Sequence, residues 1–327
     1  MDTTPNPQTR NSRWTRDPVI NHAGAPRAVY PTNRDIEIFQ LLVRYRYLPS
    51  DTIHAFVGGN AKALLHRLNL LSRKPNVYLS RPLQQRQNAI ANYRPLIYQL
   101  DERGSRILQE RGLPFLSKSQ HHNFAHELMV ARITASIELG VRANRDIRLI
   151  SWPDILAHER TPLATRQSST PTAIRVSYTL RGEQRHDDVY ADAQPFGLER
   201  HIDGKASYLF FPGIEADCAT EPIDASDTAR SSIAKKFAAY LAIAEHGLHR
   251  SHFGFPNFFA PFITTTAARQ HSMMELLDRM TGRRGSKIIL FKTFPSFTSP
   301  ERAPAAGGHM LTEPWQRVGH PPLHLDR

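Results

Sequence analysis

Three carboxylates in the second half of the chain stand where extended segments end. Asp192 lies in the segment Val189-Tyr190-Ala191-Asp192-Ala193. Glu215 and Asp217 follow Tyr208-Leu209-Phe210-Phe211 and are two residues apart. In an extended backbone, residues two apart point to the same face. Neighbouring strand ends can therefore present all three acids at one corner. Unpaired, such groups repel; a hard divalent cation, Mg2+ or Mn2+, turns them into ligands. Lys235 and Lys236 open the next helix, about 100° apart around its axis, so only one can face the acids. The apolar positions Ile233, Phe237, Tyr240 and Leu241 mark the buried face. Lys236 is then the lysine that leans toward Glu215, with Lys235 left in solvent. Acids on a metal with a lysine beside them are the parts of metal-assisted phosphodiester hydrolysis: the cation holds phosphate and activates water, and the lysine neutralises developing charge. The plainer reading is a Lys236–Glu215 salt bridge.

Other spacings carry less. His122 and His126 are four apart on a helix with no third ligand in view, and read as surface or core histidines. His246, His249 and His252 follow a long helix, where they meet the negative end of its dipole. Gly58-Gly59-Asn60-Ala61-Lys62 lacks the strand and first glycine of a phosphate loop, so it reads as a turn between helices. The run of Phe253, Phe255, Phe258, Phe259 and Phe262 reads as core rather than as a stacking platform.

The elements that must position these residues divide the chain in two. Residues 1–30 have no apolar period and read as a flexible basic arm. Thr32 or Asn33 caps a helix through Ile36, Ile38, Phe39, Leu42 and Val43. A short helix runs from Thr52 to Val57, and Asn60 caps a third helix, AKALLHRLNLLSR, with Leu64, Leu65, Leu68 and Leu71 along its apolar side. Two extended segments follow, Val77–Leu79 and Tyr93–Leu100, around a polar, amide-rich stretch; Asp101 then caps a closing helix that ends at Gly112. Three helices, a hairpin with a polar tip and a closing helix are the order of a winged helix-turn-helix over residues 31–112. Its third helix would enter the major groove and its hairpin would touch the backbone or the minor groove. The residues expected on DNA are Lys62, His66, Arg67 and Arg73, with Arg81, Arg86 and Gln87 in the wing.

Residues 121–298 alternate helices and strands. They comprise a helix ending at Gly140, strands at 147–152, 174–180, 189–193 and 207–211, a helix at 231–246, a strand at 257–264, a helix at 267–280 and a last strand at 287–293. This is an α/β arrangement on a mixed sheet. Residues 299–327, with scattered Pro, Gly and His, are read as a disordered tail. The fold class expected is therefore α+β, a winged helix-turn-helix followed by an α/β domain.

Composition narrows the function. The 327 residues carry 42 Lys+Arg against 30 Asp+Glu, a formal charge of +12. Residues 1–120 hold 18 of those cations and only 8 acids, while the rest of the chain is nearly balanced. The positive field belongs to the first third, which makes that third the partner of a polyanion. One cysteine, Cys218, excludes an internal disulfide and a Cys-based zinc module. No apolar run is long enough for a membrane span, and the N-terminus has no secretory h-region. A cytoplasmic, nucleoid- or plasmid-associated protein is the expectation. Its expected partners are double-stranded DNA and a second copy in a homodimer, with no membrane.

The residues Val189-Tyr190-Ala191-Asp192, Phe210-Phe211-Pro212-Gly213-Ile214-Glu215-Ala216-Asp217 and Lys236-Phe237-Ala238-Ala239-Tyr240 resemble the replication-relaxation family of plasmids and mobile elements. His126 and Trp152 support the resemblance, which runs from about Pro31 to Phe297. The α/β half of that family is similar to the PD-(D/E)xK nuclease fold. That similarity implies that Asp192 and Glu215 bind magnesium and that a lysine completes the site. Here Ala191 stands where proline is usual, and Asp217 stands where the nuclease lysine is expected. Lys236 or Lys235, from the following helix, could replace it; without that replacement the resemblance implies a site that binds metal without cutting, or a relic. Two functions stay open: a metal-dependent DNA endonuclease using Asp192, Glu215, Asp217 and Lys236, or a non-catalytic replication, mobilisation or regulatory factor with a degenerate nuclease fold.

Overall fold

The computed structural model describes residues 14–87, 95–116, 123–227, 230–294 and 305–327, the side chains of residues 86 and 87 excepted. The chain is mixed α+β with several small sheets, and it divides into two compact units, Met1–His122 and Asn123–Arg327.

In the first unit, α1 (Asn33–Tyr45) starts at a capping box. The Thr32 side chain accepts from Asp35 N–H, and Thr32 N–H donates to Asp35 Oδ2 at 2.7 Å. Then follow β1 (Leu48–Pro49), α2 (Ser50–Val57), α3 (Ala61–Ser72, capped by Asn60), β2 (Leu79–Ser80), a 3-10 turn (Leu83–Gln87), β3 (Ile97–Leu100) and α4 (Glu102–Glu110, capped by Asp101). The strands form an antiparallel sheet ordered β1-β3-β2. Buried Gln85 donates to Ile97 O at 3.0 Å and accepts from Ile97 N–H at 2.9 Å, pinning the turn to β3. Ile38, Phe39, Leu42, Leu68 and Leu71 are fully buried, as the period of α1 and α3 predicts. Leu65, read onto the apolar side of α3, is instead 47% exposed, because it sits about 100° from Leu64 and off the buried stripe.

Residues 14–30 differ from the expected flexible arm, because their backbone is hydrogen-bonded to the unit. Val29 N–H donates to Asn76 Oδ1 at 2.9 Å, Asn76 Nδ2 donates to Arg27 O at 3.0 Å, and Arg67 Nη2 donates to Tyr30 O at 2.7 Å. Strand β2 is also shorter than expected, since Val77 adopts φ +45° and cannot continue a strand. Residues 88–94, part of the expected second strand and wing tip, lie outside the described residues.

The second unit runs α5 (Phe124–Ala143), β4 (Ile147–Ile150), α6 (Trp152–Ala157), α7 (Leu163–Gln167), β5 (Ile174–Leu180), β6 (Glu183–Val189), β7 (Phe196–Ile202), β8 (Lys205–Phe211), β9 (Glu215–Asp217), α8 (Ile233–Glu245), α9 (Leu248–Phe253), β10 (Ala260–Thr264), α10 (Ala267–Met280), β11 (Ile289–Thr293), α11 (His309–Thr312), β12 (Trp315–Arg317) and β13 (His320–Leu323). Its main sheet is ordered β13-β12-β11-β10-β9. Strands β9, β10 and β11 are parallel, and the helices α8, α9 and α10 make the crossovers that parallel pairing requires. Every residue of β10 is buried, as expected of a strand covered on both faces. One face packs Phe262 and Phe291 against Phe237 and Tyr240 of α8; the other packs Ile263 and Leu290 with Ile133 and Ile137 of α5. An antiparallel sheet β4-β7-β8 and the hairpin β5-β6 complete the unit.

Four features depart from the sequence reading. Residues 305–327 are not a disordered tail. Trp315 is fully buried, its indole N–H donates to Met310 O at 3.0 Å, and β12 adds to β11. Strands of three and four residues are too short for any period to show. Gly140 does not stop α5; a Cβ there would lie 2.7 Å from Leu311 Cβ, so glycine serves close packing while the helix runs on to Ala143. Trp152 does not close a strand but opens α6, where Ser151 and Asp154 form a capping box. Finally, the strand expected at 189–193 does not form. Strand β6, absent from the sequence reading because it pairs as a polar hairpin with β5, ends at Val189, and β7, also absent from it, pairs with both β4 and β8.

Candidate functional site

In the second unit, β9 is the edge strand of the main sheet, and an edge strand carries unpaired backbone groups. The segment after β6 covers it. Asp192 N–H donates to Ile214 O at 2.8 Å, and Ala216 N–H donates to Asp192 Oδ2 at 2.7 Å. Gly213 permits this approach: its φ is +145°, and a Cβ would lie 2.3 Å from Ala193 O. Asp192 is therefore fixed by β9 itself, although it belongs to no strand.

Around it the structure gathers His126, Glu215, Lys236 and Tyr240. His126, on the first turn of α5, places Nε2 3.2 Å from Asp192 Oδ2. Glu215 is buried on the α8 face of β9; Tyr240 donates its hydroxyl to Oε1 at 2.7 Å, and Lys236 Nζ lies 2.9 Å from Oε2. Lys236 also pairs with Glu221 at 3.2 Å. Lysine and tyrosine meet one glutamate because positions four apart share a helix face. Lys235 turns away as its helical phase requires, but it is not left in solvent: it pairs with Asp187 at 3.1 Å.

The electrostatics follow from burial and these pairings. Burial pushes the Glu215 carboxyl up to about 7, against the pull of the Lys236 charge. The Asp192 carboxyl is also pushed up by burial, but the His126 hydrogen bond and Lys236 outweigh this and hold it below the usual range. The hydrogen bond to Asp192 raises His126 above an ordinary imidazole, against burial. Burial favours neutral Lys236, yet Glu215, Asp192 and Glu221 together keep it protonated well above the usual lysine range. Tyr240, buried against Glu215, is held firmly in its phenol form.

Asp217 is not part of this cluster. Both its oxygens accept from the Arg269 guanidinium of α10, and Thr264 Oγ1 donates to Oδ2 at 2.7 Å. The pair is well buried, with side-chain exposures of 17% for Arg269 and 4% for Asp217. Two residues apart on β9, Glu215 and Asp217 do share a face, but different helices claim them.

The three-acid magnesium or manganese site does not fit this arrangement. Asp217 has both oxygens committed to a guanidinium, and the Lys236 ammonium holds the position beside Glu215. Among the described residues no group of three or more His, Cys, Asp and Glu side chains is arranged to hold a metal ion. His126 is the site residue that residue spacing alone misplaced. No local signal marks it, because its partner lies 66 positions away. His122 lies outside the described residues.

In the first unit, the residues expected on DNA separate into exposed and engaged groups. Lys62 and His66 are exposed on α3 together with Leu65. Arg67 instead grips Asp35, with Nη2 2.6 Å from Oδ2, and so ties α3 to the cap of α1. Arg73 is buried, its Nε donating to Asn69 Oδ1 at 2.9 Å. Arg81 Nη2 donates to Asn69 Oδ1 at 3.0 Å and to Ser72 Oγ at 2.6 Å. The Arg86 and Gln87 side chains lie outside the described residues.

No helix among the described residues is long and apolar enough to cross a membrane. A comparison with family models matches residues 39–257 to the family described as replication-relaxation. No curated protein and no solved structure matches the chain.

Proposed function

The chain belongs to the replication-relaxation family, and from that premise we propose that it is a double-stranded-DNA-binding factor in the replication or relaxation of plasmid or other mobile-element DNA. The first unit serves as a winged helix-turn-helix that lays α3 in the major groove. The observation that carries this reading is α3 itself. It bears a solvent-facing row of donor and apolar side chains, in the third of the chain that holds 18 Lys+Arg against 8 Asp+Glu. Phosphate contacts release counterions, so binding falls steeply with salt. The test is fluorescence anisotropy of a labelled duplex titrated with the protein at several KCl concentrations. Binding that weakens with salt, with a shallower salt slope for Lys62→Ala, supports the reading; no binding to any duplex at low salt overturns it.

The second unit, in this proposal, has a PD-(D/E)xK-like architecture whose acids serve structure: Asp192 with His126, Glu215 with Lys236, and Asp217 with Arg269. A second reading, metal-dependent cleavage, is favoured by one observation. Asp192, Glu215 and Lys236, two acids and a lysine, meet at the β9 edge, with Lys236 Nζ 2.9 Å from Glu215 Oε2. A divalent cation there would have to displace that ammonium. Supercoiled plasmid incubated with the protein and Mg2+ or Mn2+ separates the two readings. Nicked or linear product from wild type, lost in an Asp192→Ala, Glu215→Ala protein, establishes cleavage; intact plasmid in both establishes the structural role.

A further inference from the structure

The outer face of α3 carries exposed Lys62, Leu65 and His66 and, one turn on, partly buried Asn69, spaced three and four residues apart as one face of a helix requires. Asn69 is bound in an unusual way. Its Oδ1 accepts from two guanidinium groups, Arg73 Nε at 2.9 Å and Arg81 Nη2 at 3.0 Å. Guanidinium groups only donate, so the amide orientation is settled: the oxygen must face them and the NH2 must face away. A carbonyl oxygen has two lone pairs, and both are spoken for. The amide Nδ2 has no hydrogen-bond partner among the described residues.

We infer that Asn69 is a specificity-determining residue that offers only donors to a base edge, and so selects guanine or thymine acceptors over adenine. This rests on the proposal that α3 enters the major groove. An asparagine with both ends free pairs with adenine, accepting from N6 and donating to N7. Asn69 cannot do so, because accepting from adenine N6 requires the oxygen that Arg73 and Arg81 hold. Its two N–H groups match guanine O6 and N7, or thymine O4. Leu65, 47% exposed one turn earlier, is an apolar contact suited to a thymine methyl group. Lys62 adds a further donor. Arg27 Nη1 stands 3.5 Å from His66 Nε2, so the docked segment before α1 extends the cationic border of the row. Arg73 and Arg81 thus act as positioning residues: they aim Asn69 rather than touch the base.

The same geometry sets the test. Asn69→Asp keeps an oxygen for Arg73 and Arg81 and leaves the packing in place, but exchanges the outward NH2 for an acceptor. A random duplex library is bound to the full-length protein, and the retained sequences are read. Wild type should enrich G or T at one position of the site. Asn69→Asp should move that position toward C or A, whose edges carry amino donors, and Asn69→Ala should flatten it. For one good base contact the expected discrimination is roughly 5- to 150-fold. Wild type that enriches A at the position altered by Asn69 substitution overturns the inference. So does a sequence preference that both substitutions leave unchanged. Wild type that retains no duplex removes the underlying DNA-binding proposal instead, and that outcome is distinct from the other two. Matching thermal melts of the three proteins confirm that the substitutions act at the interface and not on the fold.

Discussion

Ala216 N–H donates to Asp192 Oδ2 at 2.7 Å, so the acid of the first candidate motif is bound to the backbone of the strand that carries the other two. That bond makes Asp192 a cover for an open sheet edge as well as a charged partner of His126. The consequences of this paired, buried centre can be measured.

The Arg269–Asp217 pair should behave as a buried ion pair. Removing one partner of such a pair costs about 3–5 kcal/mol, because it strands the other charge. Asp217→Ala should therefore lower the urea midpoint sharply, and Mg2+ should not change the size of the loss. A loss below ~1 kcal/mol would show that Arg269 finds water or another acceptor.

Stability should fall as pH rises from 5 to 8. His126 has a raised folded-state pKa, so its contribution is complete below its unfolded value and disappears as pH rises through the folded one. Glu215 is pushed up to about 7, which favours its protonated form and acts in the same direction. Asp192 is depressed and adds stability that is lost only in acid, as pH falls through its folded value. Denaturation of wild type and His126→Gln across this range should give a shallower slope for the variant. Equal slopes would remove His126 from the linkage.

The two adjacent lysines should separate cleanly. Lys235, in a partly covered pair with Asp187 that keeps water access, should cost about 1 kcal/mol or less on replacement by alanine. Lys236→Met leaves Glu215 buried without its cation and should cost about 3 kcal/mol at pH 8. At pH 5 the loss should shrink, since Glu215 can take up a proton. A pH-independent loss would assign the effect to packing alone.

The C-terminal segment should be required for the fold of the second unit. Trp315→Ala empties a fully buried site and should cost about 3–5 kcal/mol by thermal or chemical denaturation. A near-neutral result would mean that residues 305–327 pack independently of the sheet.

Much was legible in residue order. The caps at Thr32, Asn60 and Asp101, the apolar period of α1 and α3, and the shared face of Glu215 and Asp217 are local properties, set by backbone geometry within one element. The orientation of Lys236 toward Glu215 follows from helical phase in the same way. The partners chosen across the fold are not local. Asp217 went to Arg269 because Thr264 and α10 lie beside it on the β10 side, 47 and 52 residues on. Asp192 met His126 because α5 packs on the face opposite α8. The ordered C-terminal strands depend on an open β11 edge and on a cavity that one tryptophan fills. Periodicity reports which face of an element is buried; which charge is neutralised by which depends on distances that exist only after the elements have packed.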